Sequence, residues 1–172
     1  MDRDGKEDEN GDNVFYFHGT NHHFAMDILN SGLDITMSDQ YSDFSIGHGF
    51  YFTDEPLQAF ESVNLHTDKP AILVFTLNTK MMIEKNMVIL FSEKKLWKWL
   101  VKMYKTGWRK FDLRHYDNCD FMVGPLAEIE RDDLGEARVK PIPGTTQYCI
   151  KNENFLEEFE QTLAYVIFGS NV

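Results

Sequence analysis

Two short segments carry the residue types that suit binding of a flat, polar ligand. The first, His18-Gly19-Thr20, ends an aromatic run, and the second is Gly47-His48-Gly49-Phe50-Tyr51-Phe52. A glycine in a strand often marks the close approach of a ligand, and a phenol beside such a gap offers a ring for stacking. Gly-x-Gly is also typical of a plain turn, with Tyr51 in the core.

Strand periodicity decides which of these side chains can meet. Side chains alternate between the two faces of a strand, so Phe50 and Phe52 share one face and Tyr51 lies on the other with the two glycines. We expect the Phe face to be core and the Tyr51 face to be open. If the two strands are neighbours, His18 and Tyr51 line one cleft beside the Gly19 backbone, with both rings on the same side of the sheet.

These segments resemble the ADP-ribosyltransferase fold, in the branch named for its His-Tyr-Glu triad, which includes the poly(ADP-ribose) polymerases and diphtheria-toxin-like enzymes. In that branch a His-Gly-Ser/Thr strand precedes a Gly-x-Gly-aromatic-Tyr-Phe strand, in the order seen here. Ser42-Asp43-Phe44 and residues 117–125 are also similar to a smaller bacterial and fungal group with an Asp-Phe-Gly-x-Gly-Phe-Tyr signature. The resemblance covers most of the chain after residue 13.

The resemblance implies a fold and a set of roles. The fold is α+β, with split, mostly antiparallel sheets and short helices around an NAD cleft; NAD is the co-substrate, and no metal is needed. By resemblance, the Gly19 backbone holds the carboxamide, His18 holds a ribose hydroxyl, Thr20 makes a nearby polar contact and Tyr51 stacks on the ring. The implied NAD site also includes Asp43, Gly49 and Phe60, although Phe60 is equally well explained as a core residue.

Position 147 departs from the family pattern. The third triad position opens the strand after the acceptor-side loop, and the chain has Gln147 where the family has Glu. A neutral amide can hydrogen-bond a ribose hydroxyl but brings no negative charge to the cation that develops when nicotinamide leaves. We therefore expect transfer of one ADP-ribose rather than chain elongation, and a rise in NAD hydrolysis in Gln147→Glu. Glu153 or Asp120 could supply a carboxylate from elsewhere.

Periodicity and breaker residues predict the elements that position these groups. We expect one domain over 14–172 after an acidic, disordered tail over 1–13 that has six acidic and two basic residues. A second helix should begin near Pro56 and bury Leu57, Phe60 and Val63. The other predicted elements are helices over 21–31, 93–104 and 152–168, strands over 71–77, 121–123 and 147–150, a loop over 33–43 and an exposed turn over 128–136.

Composition narrows the class of function. The net charge of −11 over 172 residues disfavours a surface for nucleic-acid backbones. There is no long apolar run for a membrane span, and the spacing of His18, His22 and His23 fits no common zinc site. Cys119 and Cys149 favour a reducing compartment, so we expect a cytoplasmic protein, or an effector delivered into a host cytoplasm. We also expect a monomer.

Several functions remain open at this point. The leading one is mono-ADP-ribosyl transfer to a protein, with a threonine of ubiquitin as a candidate acceptor that the signature group suggests. The second is a module that binds NAD, ADP-ribose or a protein without transfer. The others are an NAD glycohydrolase and an RNA-directed relative such as a tRNA 2′-phosphotransferase. The acceptor would meet the loop over 142–146, whose composition names no target.

Overall fold

The computed structural model of the chain describes residues 12–37, 42–64, 66–106, 113–131 and 137–169. Its strands are β1 (Asn13–Asn21), β2 (Phe50–Phe52), β3 (Pro70–Asn78), β4 (Met87–Ile89), β5 (Phe121–Gly124), β6 (Ala127–Arg131), β7 (Ala137–Pro141), β8 (Gln147–Ile150) and β9 (Leu163–Phe168). Its helices are α1 (His22–Ser31), α2 (Pro56–Asn64), α3 (Thr79–Ile83), α4 (Lys94–Thr106), α5 (Arg114–Asp117) and α6 (Glu153–Glu160), with one 3-10 turn at Ile35–Met37.

The strands form two main sheets and a hairpin. One sheet has the order β1-β3-β9, the second has the order β2-β8-β5-β4, and β6 pairs with β7. All neighbours are antiparallel except β4 and β5. The expectation of an α+β chain with mostly antiparallel pairing is confirmed.

The first core contains an aromatic cluster contributed by both sheets and α6. Phe50 and Phe52 are buried there, as the alternation of β2 predicts. Phe159 of α6 contacts both of these rings and that of Phe75 on β3, with centroids 4.4–5.9 Å apart. The opposite face of the second sheet packs on α4, whose buried Trp97 belongs to a separate core. The second sheet is thus covered on both faces.

The two sheets are joined at a single bridge. Phe17 of β1 and Thr53, just after β2, exchange two backbone hydrogen bonds of 2.8 and 2.9 Å. β1 and β2 do not pair beyond it in the described residues, so the backbone edge of β1 is open on the C-terminal side of Phe17. This gap is where the cavity described below lies.

Several predicted elements are confirmed. α1 begins after Asn21, whose side chain accepts a hydrogen bond from the Phe24 amide, and it ends at Gly32, whose φ of 87° suits glycine. The predicted helix over 93–104 and the predicted strands over 71–77, 121–123 and 147–150 correspond to α4, β3, β5 and β8. The tail predicted over 1–13 lies outside the described residues as far as residue 11, and Asn13 already begins β1.

Three predictions are wrong. The helix over 152–168 stops at Glu160, and its last third is β9, because Leu163-Ala164-Tyr165-Val166-Ile167-Phe168 is rich in strand-forming residues and pairs with the free edge of β3. Of the turn predicted over 128–136, residues 128–131 belong to β6, one strand of a hairpin, and residues 132–136 lie outside the described residues. In α2 the buried residues are Ala59 and Val63, whereas Leu57 is 64% exposed. The small side chain of Ala59 allows α2 to lie close to β1. The hydrophobicity of Leu57 and Phe60 did not indicate that the helix buries the face with Ala59 instead.

Among the described residues, no helix has the length and apolarity that crossing a membrane requires. The same residues contain no group of three His, Cys, Asp or Glu side chains arranged to hold a metal ion. Cys119 and Cys149 are buried free thiols.

Candidate active site

A cavity of about 600 Å³ opens where the two sheets meet. This volume lies within the range of ~300–1,000 Å³ that is common for small-molecule sites. Its walls come from the end of β1, one side of α1, the segment before β2, the end of α4 and the start of β8. The residues predicted for the site that border it are His18, Gly19, Thr20, Asp43, Gly49, Tyr51 and Gln147.

His18 is fixed by a hydrogen bond and a stacking contact. Its Nδ1 lies 2.6 Å from the carbonyl oxygen of Tyr51, and its ring stacks on Phe50 with centroids 4.5 Å apart. A carbonyl oxygen only accepts, so Nδ1 carries the proton and Nε2 of the neutral ring is an acceptor. Burial lowers the pKa of His18, against the opposing effect of the Tyr51 carbonyl. The site therefore holds a neutral imidazole with one nitrogen available as an acceptor.

The backbone of Gly19 is open to the cavity. Backbone groups along an antiparallel strand alternate in direction, so the N–H and C=O of Gly19 point the same way as those of Phe17, toward β2. Phe17 uses its pair on Thr53, but no described residue hydrogen-bonds the Gly19 pair across this edge. One donor and one acceptor on the same residue, pointing the same way, are thereby offered to a ligand.

The absence of a side chain at Gly19 has a separate cause. A Cβ on Gly19 would lie 2.1 Å from the carbonyl oxygen of Ala59 in α2. Gly19 is thus required by the packing of α2 on β1, which also keeps the cavity-facing edge of the strand in place.

Tyr51 differs from expectation. Its hydroxyl hydrogen-bonds the Ser45 hydroxyl at 2.8 Å and the Phe44 amide at 3.0 Å, and burial raises its pKa well above the usual value. Gly49 is no gap, because a Cβ there would lie 2.7 Å from Cys149 Sγ and 2.8 Å from Ser45 Oγ. On the face predicted to be open, the Tyr51 hydroxyl and the Gly49 position are therefore packed, whereas Gly47 has open space beside it and Tyr51 still borders the cavity.

His18 and Tyr51 border one cavity but not from one face. His18 lies on the Phe50 side of β2, whereas Tyr51 packs on the opposite side with the core around α4. The prediction that both rings lie on the same side is wrong, since β1 and β2 belong to different sheets. The cavity spans the joint between the sheets and so reaches both residues.

Gln147 lies at the cavity wall in a buried polar cluster. It is 7% exposed, and its Nε2 donates to Asp43 Oδ2 at 2.7 Å. Asp43 is 5% exposed; the same oxygen accepts from the Ala127 amide at 2.9 Å, and Oδ1 lies 2.9 Å from Lys105 Nζ. The carboxylate in contact with Gln147 is therefore Asp43.

Three other predicted residues lie elsewhere. Phe60 is 39% exposed on α2 and is not among the residues that border the cavity. Asp120 accepts from the Asn86 amide, and Glu153 is in the first turn of α6; neither borders the cavity. The structure gives Phe60 no stacking position and gives Asp120 and Glu153 no access to the site.

The sequence did not indicate Lys105 or the contact that supports the loop over 142–146. Lys105 reaches the cavity from the last turn of α4, and no motif marks it. Gln58 of α2 donates to the Thr146 carbonyl at 2.8 Å and accepts from the Thr146 amide at 3.2 Å. This two-way amide contact fixes the end of the loop over 142–146, one residue before Gln147.

No protein-family model matches the chain, and no curated protein matches it in sequence.

Proposed function

We propose that the chain is an NAD-dependent mono-ADP-ribosyltransferase that acts on a protein. The observation that carries this proposal is the backbone N–H and C=O of Gly19, which no described residue hydrogen-bonds across the open edge of β1, in a cavity that His18 and Gln147 also border. A primary carboxamide presents an acceptor and a donor on one side, and the N–H and C=O of Gly19, which face the same way, are complementary to them. The resemblance of the two motifs to the ADP-ribosyltransferases supports the same conclusion.

The polar groups that line the cavity support the assignment of NAD as its ligand. Gly19 would hold the carboxamide, His18 Nε2 would accept from a ribose hydroxyl, and Tyr51 would contact the nicotinamide from the wall that it borders. Bound NAD supplies an ADP-ribosyl group whose bond to nicotinamide breaks as positive charge develops on the ribose. Gln147 presents a neutral dipole to that region, and Lys105 provides a cation at the cavity edge.

The acceptor would approach beside Gln147, over the loop at 142–146. Gln58 holds this loop against α2, so its shape is set before a partner arrives. The net charge of −11 favours a partner with a basic surface, because complementary charge raises the rate of encounter. A threonine of ubiquitin is our candidate acceptor, in line with the signature group that Ser42-Asp43-Phe44 resembles.

A binding module without transfer is the second candidate. Gln147 carries no charge, and the carboxylate that it contacts, Asp43, is already engaged by Lys105 and the Ala127 amide. Such an arrangement stabilises a developing cation less than a free glutamate would.

Nicotinamide release from NAD, followed by liquid chromatography, tests the proposal. We expect release by the full chain, and a loss of about tenfold or more in His18→Ala, the equivalent of one ~1.4 kcal/mol hydrogen bond. His66→Ala, which changes an exposed histidine that does not border the cavity, is the matched control. Mass spectrometry of ubiquitin and of a lysate incubated with NAD then identifies the acceptor.

The outcomes separate the candidates. NAD binding by calorimetry without release supports the binding module. Release without modification of any protein indicates a glycohydrolase, or an RNA-directed enzyme if RNA is modified instead. If a folded chain shows no NAD binding and no nicotinamide release, that result contradicts the proposal.

A further inference from the structure

The cluster of Lys105, Asp43 and Gln147 brings together three distant parts of the chain. Lys105 lies at the end of α4, Asp43 in the segment before β2, and Gln147 at the start of β8. Asp43 uses both oxygens, with Lys105 on one and the Gln147 and Ala127 donors on the other. This carboxylate is thus held by three donors in a nearly dry position.

The contact with Asp43 determines which end of the Gln147 amide faces the cavity. An ionised carboxylate only accepts hydrogen bonds, so the Gln147 atom 2.7 Å away must be Nε2. Turning the amide over would set two oxygens against each other in a buried site. No described residue donates to Gln147 Oε1, and Gln147 borders the cavity. The amide therefore presents its oxygen to a ligand.

A hydrogen bond to a charged acceptor also polarises the donor. The bond from Nε2 to Asp43 is charge-assisted and draws the amide proton toward the carboxylate. Electron density at Oε1 rises in response, since hydrogen-bonded groups polarise one another. The negative end of the amide dipole then faces the region where a ribose cation would develop.

We propose that Asp43 is a positioning residue that locks the Gln147 amide with Oε1 toward the cavity, so that a neutral glutamine serves where a glutamate is otherwise expected. This inference rests on the proposed function. Lys105 holds the second oxygen of Asp43 and so prevents the carboxylate from rotating away from Gln147. Asp43 itself acts through Gln147 and need not contact NAD.

Nicotinamide release by paired variants tests this role. Asp43→Ala frees the amide without removing it, so we expect kcat to fall by about tenfold to a hundredfold, less than the ~10²–10³-fold loss that follows outright removal of a preorganised hydrogen-bonding group. KM for NAD should change less than about threefold. The double variant Asp43→Ala, Gln147→Glu should have a kcat about tenfold higher than Asp43→Ala alone, because a carboxylate presents an oxygen to the cavity in either orientation. Gln147→Glu alone should bring no gain.

If Asp43 only stabilises the fold, the two variants should behave differently. The second substitution would then bring no recovery in the Asp43→Ala background, and that result in a folded protein would overturn the proposal, as would a wild-type kcat in Asp43→Ala. Glu153→Gln, which removes a carboxylate outside the cavity, is the control and should leave kcat unchanged.

A second measurement does not depend on turnover. In ¹⁵N–¹H spectra the side-chain NH₂ of Gln147, assigned by its loss in Gln147→Ala, should exchange slowly with water and become at least about tenfold faster in Asp43→Ala, as a buried hydrogen bond is lost. If Asp43→Ala leaves the exchange rate of the Gln147 NH₂ unchanged, Asp43 does not hold the amide and the proposal is refuted. If the chain releases no nicotinamide while the exchange effect is present, the proposed function fails and the lock stands.

Discussion

Gln147→Glu is the substitution for which the structure reverses the expectation from sequence. From the family pattern alone, a glutamate at this position should raise NAD hydrolysis by adding a negative charge. In the structure the new carboxylate would lie where Nε2 now donates to Asp43, 2.7 Å from Oδ2. Both positions are more than nine-tenths buried, so water screens the two charges poorly.

The magnitudes decide how the protein responds. Two like charges 2.7 Å apart repel by about 6 kcal/mol at an effective dielectric constant of ~20. Protonating a glutamate with an ordinary pKa near 4.3 costs about 4 kcal/mol at pH 7. Protonation is the cheaper response, so the introduced glutamate should take up a proton and donate it to Asp43 as the amide did. The negative charge is then absent at neutral pH, and hydrolysis does not rise.

Thermal unfolding as a function of pH measures this effect. The folded state raises the pKa of the introduced glutamate, so the folded variant binds more protons than its unfolded chain, and the stability deficit appears as pH rises above ~4.3. We expect a deficit of up to about 4 kcal/mol at pH 7, roughly 8–16 °C in Tm for a chain of this size, that closes near pH ~4.3. Gln161→Glu, an exposed change of the same charge, should show little deficit. A Gln147→Glu protein with wild-type Tm at pH 7 would refute the Asp43 contact.

Two further predictions concern β1 and the glycines. Gly19→Ala should lower Tm strongly and reduce NAD binding, because its Cβ would lie 2.1 Å from the Ala59 carbonyl oxygen. Gly47→Ala should lower the free energy of unfolding by only about 1 kcal/mol, because Gly47 has φ of 70° but no neighbour within contact. Equal melting temperatures of the two variants would contradict this. Burial lowers the pKa of His18, so NAD affinity should stay constant as pH falls to ~6.5 and decline only below that value. The folding stability linked to His18 should likewise be complete above pH ~6.5 and decrease below it. Calorimetry and unfolding at each pH measure the two quantities, and an affinity midpoint at or above ~6.5 would contradict the prediction.

Local pattern was sufficient for much of the fold. Period-two alternation placed Phe50 and Phe52 in the core, and apolar spacing predicted a helix over 21–31, which the structure has as α1. The segment ending at Phe168 was misread because the chain after Gln161 keeps apolar residues at spacings compatible with both a helix and a strand. The free edge of β3 decided between them, and a single sequence does not reveal a partner so distant along the chain.

The site was predictable in membership and less so in arrangement. Motifs named His18, Gly19 and Gln147, all of which border the cavity. They did not reveal that Tyr51 and His18 belong to different faces, because that depends on β1 and β2 lying in different sheets. Nor did they reveal Lys105, since an ion pair between α4 and the segment before β2 depends on tertiary packing alone.

The segment that carries Asp43 is held in place from both sides, which bears on how the site is preorganised. Lys105 binds the Asp43 side chain, and Lys151 donates to the carbonyl oxygen of the next residue, Phe44, at 2.9 Å. The Phe44 ring is fully buried, and its amide donates to the Tyr51 hydroxyl. Two lysines from different parts of the chain thus fix two consecutive residues, in a protein with an excess of acidic groups. Since these intramolecular contacts position the segment, they also fix the orientation of Gln147, and under the proposed function NAD need not supply the free energy to order it.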